Sequence, residues 1–157
     1  LSRLLVFSIA TKSIRTILDD GMVSHYTWLD DSQIFVYGRM ASEGNRFLTV
    51  SFGTRNNDIH CHHELSGWGD GHPAVISEHE WIVFDSYPDF QRYQHLYLFH
   101  PEAGKVIEVG KFRSPYAYQE GNRCDLHPRW CSETEIAIDS THTGKRAITL
   151  VNVSELL

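Results

Sequence analysis

Three of the ten histidines in this 157-residue chain, His25, His72 and His127, stand at equivalent points of a repeated pattern. Two of them carry an acid two residues earlier, Asp70 before His72 and Asp125 before His127. A neutral imidazole is a common ligand for first-row divalent metals, and its second ring N–H is usually handed to a carboxylate or carbonyl. The Asp-x-His spacing therefore reads as a ligand with its backing acid, and three imidazoles with oxygen donors suit Mn²⁺ or Zn²⁺. The same histidines can instead hydrogen-bond an acid in a later turn, and Asp85 and Asp139, each followed by Ser, suit that structural role.

Arg123, Asp125 and Arg129 crowd around His127, with Tyr116 and Tyr118 just upstream. A guanidinium can clamp a carboxylate bidentately, and a phenol or imidazole can take a proton. Arg123, Asp125 and Tyr116 are the candidate catalytic residues on this reading; a solvated loop laced with ion pairs is the alternative. His60, His62 and His63 form the densest histidine cluster. Strand alternation puts His60 and His62 on one face, where they could clamp a metal or simply line a polar edge.

The elements that must position these groups are strands. Residues 25–37, 72–86 and 127–140 align: each starts with His, places Trp28, Val75 or Trp130 three positions later, crosses a polar turn and enters a β-branched or aromatic run. The histidine offsets are 47 and 55 residues. That spacing suits a four-stranded β-propeller blade of about 40–50 residues with loop insertions. Within a repeat, residues 95–99 and 106–109 flank the turn Pro101 to Gly104, whose Pro presets φ and whose Gly permits a positive φ. No stretch shows a capped 3.6-residue apolar period.

The fold expected is all-β, a β-propeller segment of about three to four blades that forms part of a larger ring. The end of one blade falls at 1–20, full blades at 21–67 and 68–122, and an incomplete one at 123–157, with two, four, four and three strands. Blade symmetry would aim His25, His72 and His127 at one rim of a central channel. Trp28, Trp81 and Trp130 are expected between blades, and Cys61, Cys124 and Cys131 as buried free thiols.

Composition narrows the partners. The chain is 41% hydrophobic and carries a net charge of −6, so it can bury a core but lacks the clustered Lys and Arg that phosphate backbones require. Nucleic acid is not an expected partner. The apolar runs at 4–10 and 148–153 are far shorter than the ~20 residues of a membrane span.

The stretch from His127 through Trp130 to the strand ending at Val153 resembles the WD-like repeat of TolB-type propellers. Residues 71–73 and 94–98 follow the same outline, so the resemblance covers nearly the whole chain. The family's Ser-Pro-Asp-Gly turn is replaced by 131–134 in one repeat and by 76–79 in another. The chain is also distantly similar to oligogalacturonate lyases, TolB-like propellers that hold a divalent metal with several His and a Gln and cleave polyuronates by β-elimination. That likeness adds Gln94 to His25, His72 and His127 as the implied metal set, and Asn57 to His62 loosely echoes the family's Gln-x-x-His-x-His arrangement. The function expected is ligand binding at a histidine-lined rim, carbohydrate-related, with a metal-dependent polyuronate lyase and a non-catalytic protein-binding propeller as alternatives.

Overall fold

The computed structural model describes residues 1–53, 57–76 and 80–157. Among these residues the chain is all-β, with twelve strands in four antiparallel sheets and no α-helix. Among the described residues no helix is long and apolar enough to cross a membrane. The chain divides into two compact units, Leu1–Asp70 and Gly71–Leu157.

In the first unit, β1 (Leu4–Ser8) pairs with β2 (Ser13–Leu18). A four-stranded meander follows in chain order: β3 (Val23–Trp28), β4 (Gln33–Met40), β5 (Gly44–Phe52) and β6 (Asn57–Cys61). Strand alternation sends Ile34, Val36, Leu48 and Val50 to one face, where they close a core with Leu4, Ile17 and Leu18. Phe35 and Phe47 take the opposite face and stack with centroids 5.2 Å apart.

In the second unit, β7 (Ile82–Asp85), β8 (Tyr93–His100) and β9 (Lys105–Arg113) form one sheet. β10 (Arg129–Trp130), β11 (Glu135–Ser140) and β12 (Ala147–Asn152) form the other. Val83, Leu96 and Leu98 from the first of these pack against Leu126, Ile136, Ile138 and Val153. Each such aliphatic side chain, fully buried, stabilises by about 1.5–3 kcal/mol. The β8–β9 hairpin turns at Pro101–Gly104, and Gly104 adopts the positive φ of +59° that the turn requires.

The sheets have two, four, three and three strands rather than two, four, four and three. Where a fourth strand was expected beside β7, only Ala74 bridges to Val83. Pro73 has no N–H to offer a ladder, and the amide of His72 is taken by a side chain. The substituted turn at 76–79 lies largely outside the described residues. Trp81 and Trp130 pack against the second core, whereas Trp28 is exposed and meets Phe52 edge-on within its own sheet. Cys124 is buried, Cys61 half-buried and Cys131 exposed, so only one thiol is buried as expected.

Candidate functional site

The site is assembled at the C-terminal end of β7, where Asp85 closes the run Ile82-Val83-Phe84. Asp85 is 1% exposed. Its Oδ1 accepts the backbone N–H of His72 at 2.6 Å, and its Oδ2 accepts the backbone N–H of His127 at 3.0 Å. The Nδ1 of His72 lies 2.9 and 3.0 Å from the same two oxygens. One carboxylate thus fixes the starts of two successive histidine segments. Access to it depends on Gly71, because a Cβ there would stand 1.9 Å from the Asp85 carbonyl oxygen.

This anchoring sets the chemistry of the imidazoles. A carboxylate can only accept, so the proton of His72 sits on Nδ1 and Nε2 is the nitrogen able to ligate. His127 holds a φ of +41°, a left-handed conformation in which His is enriched among non-Gly residues, and its Nδ1 faces the Asp125 carbonyl at 3.4 Å. The two rings lie against each other, tilted by 35°, with centroids 3.8 Å apart. Donor atoms of His72, Asp125 and His127 all lie within 4.8 Å of one another.

Asp125 is 6% exposed, and its two oxygens differ. Oδ2 pairs with Arg123 Nε at 2.8 Å, while Oδ1 is buried with no hydrogen-bond partner among the described residues. An unpaired buried carboxylate oxygen is costly unless a cation or donor satisfies it. Two imidazoles plus this oxygen make a donor set that fits a divalent transition metal.

Beside the cluster lies an open pocket of about 710 Å³, lined by Glu120, Arg123, Asp125, His127, Asp139 and Arg146 among others. The guanidinium of Arg123 sits 4.9 Å from the centroid of the Tyr87 ring, and Tyr87 meets His72 edge-on at 5.7 Å. Arg146 is held by the carbonyls of Asn122 and Arg123. Cys124 also lines the pocket, but burial pushes its thiol up, which keeps it protonated and a poor nucleophile.

Several sequence expectations change here. His25 belongs to the first unit, where Asp70 at 3.1 Å and Ser24 at 3.0 Å hold its Nδ1. Asp70 therefore backs His25 rather than His72. Asp125 joins the imidazoles as a donor instead of backing His127. Asp85 takes the structural role foreseen for it, but Asp139 pairs with Arg129 at 3.0 and 3.3 Å. Gln94 is buried in β8 on the face shared with Leu96 and Leu98, and its Nε2 has no hydrogen-bond partner among the described residues. Tyr116 does not line the pocket. It lies 5.4 Å from the guanidinium of Arg92, which the Ser114 and Tyr118 carbonyls anchor.

Tyr87 takes the aromatic position beside Arg123 that was expected of Tyr116. Its place one residue after Asp85-Ser86 is the signal that could have found it. His60 and His62 do face each other, with centroids 4.8 Å apart, but His62 is buried against Phe35 and bonded to Thr49 Oγ1 at 2.8 Å. Burial, reinforced by His60, lowers its pKa to about 4. No protein-family model matches the chain, and no curated protein matches it in sequence.

Proposed function

We propose that this chain is a β-propeller segment that binds an acidic sugar in the pocket beside Arg123, through a divalent cation held by His72, Asp125 and His127. The observation that carries this reading is that donor atoms of these three side chains lie within 4.8 Å of one another, in a cluster whose Asp125 has an Oδ1 buried without a hydrogen-bond partner among the described residues. Successive antiparallel meanders in chain order, each opening near a recurrent His, suit propeller blades. A pocket of about 710 Å³ falls in the usual range for small-molecule sites.

When bound, a divalent cation supplies charge that neutralises and polarises a ligand carboxylate. The chain's own residues then orient the ligand: Arg123 and Arg146 bring positive charge to the rim, and the Tyr87 ring supports the Arg123 guanidinium from behind the pocket lining. The polyuronate-lyase reading adds a base to this site. Tyr87, beside both His72 and Arg123, is the residue that favours it, in place of Tyr116.

The test is equilibrium binding of oligogalacturonate with Mn²⁺ and with a chelator, alongside a His72→Ala/His127→Ala variant checked for folding by circular dichroism. Metal-dependent binding that the variant loses is the expected result, and an unsaturated product would add the lyase activity. If the sugar binds under neither condition, a protein-binding propeller becomes the better account.

A further inference from the structure

We propose that Glu43, Cys61 and His63 form a second cation site, in the first unit, selective for Zn²⁺. The donors come from three separate pieces of chain. Glu43 lies in the turn joining β4 to β5, held by its N–H to the Met40 carbonyl at 3.1 Å. Cys61 is the last residue of β6, opposite Leu48. His63 begins a single 3-10 turn, His63–Leu65, pinned by the buried Leu65. One donor atom from each lies within 4.8 Å of the others, and His63 Nδ1 stands 4.0 Å from Glu43 Oε2.

A tetrahedral Zn²⁺ holds its ligands at about 2.0–2.3 Å, which places donor atoms roughly 3.3–3.8 Å apart. The gap to be closed is about 1 Å. His63 and Glu43 can supply it by rotation, since their side chains are 68% and 35% exposed. Cys61 packs against the first core and stays fixed. The Glu43 carboxylate is close enough to the sulfur that, after burial, it is the next cause holding the thiol up.

The donor types decide which ion is preferred. A thiolate with an imidazole and one carboxylate selects Zn²⁺ or Co²⁺ over the hard ions Mg²⁺ and Ca²⁺ and over Mn²⁺. Coordination replaces the thiol proton by the metal, so one proton is released and no redox change occurs. With three protein ligands, a fourth position stays open to solvent or to a further ligand. The ion would tie the β4–β5 turn to the end of β6, the edge strand of its sheet. This site stands apart from the sugar-binding reading and does not depend on it.

Co²⁺ is the probe, added to the metal-stripped full chain. The wild type should show a thiolate-to-cobalt charge-transfer band together with tetrahedral d–d absorption, and Zn²⁺ should displace both. Cys61→Ser should abolish the charge-transfer band. His63→Ala, at an exposed position that keeps the fold, should weaken Co²⁺ binding about tenfold or more. Cys131→Ser and His72→Ala/His127→Ala should leave the band in place. No charge-transfer band in the wild type, a band unaffected by His63→Ala, or one that requires Cys131 overturns the proposal.

Discussion

Replacing Asp85 by Ala should be the most damaging single polar substitution in the second unit. The side chain receives two backbone N–H groups and faces the Nδ1 of His72. Each buried donor left without an acceptor costs about 1–3 kcal/mol. The exposed position of His127 lets water reach its amide, so the lower end applies there. The expected loss is about 3–5 kcal/mol, a large part of the 5–15 kcal/mol by which a domain is usually stable. In urea, with a slope of about 2 kcal/mol/M, that moves the midpoint by roughly 2 M. Asp85→Asn keeps one acceptor oxygen and should lose less than half as much. Urea unfolding followed by circular dichroism reads both variants. An Asp85→Ala midpoint within about 0.3 M of wild type would refute the idea that this carboxylate organises the site.

Gly71→Ala should destabilise by several kcal/mol, because the new methyl meets a backbone carbonyl at 1.9 Å and neither partner is a flexible side-chain end. Thermal melting checks it, and an unchanged midpoint would show that the chain there relaxes freely. His62 makes stability depend on acid. Its folded pKa of about 4 lies below the ordinary 6.5, so the unfolded chain takes up the proton first as pH falls. The cost begins near pH 6.5, grows to about 3 kcal/mol by pH 4, and is absent above pH 7. Urea midpoints in the presence of chelator should fall more steeply over that window than those of His62→Gln, and parallel curves would contradict the assignment.

The sequence revealed the all-β fold because strand periodicity and turn chemistry are local. Pro101 and Gly104 announce their hairpin whatever surrounds them. It also singled out His72, His127 and Asp125 by repetition. It misassigned the role of Asp125, because the left-handed backbone at His127 breaks the alternation on which a ligand-and-backing reading depends. The pairing of Asp70 with His25, 45 residues away, follows no local rule. Tyr87 was passed over for Tyr116 for a similar reason: the bend after β7 brings Tyr87 to Arg123, 36 residues later in sequence. Arg129 and Asp139 sit two residues from where strict β10–β11 pairing would match them, so Asp139 looked available to His127.

The claim on which the function rests is that His72, Asp125 and His127 hold one divalent cation. Crystals of the chain soaked in Mn²⁺, with anomalous diffraction recorded at the manganese edge, test it most directly. A single strong peak is expected about 2.0–2.3 Å from Nε2 of both imidazoles and from Asp125 Oδ1, and it should disappear in Asp125→Asn crystals. A map with no peak between these three side chains at saturating Mn²⁺ would contradict the account.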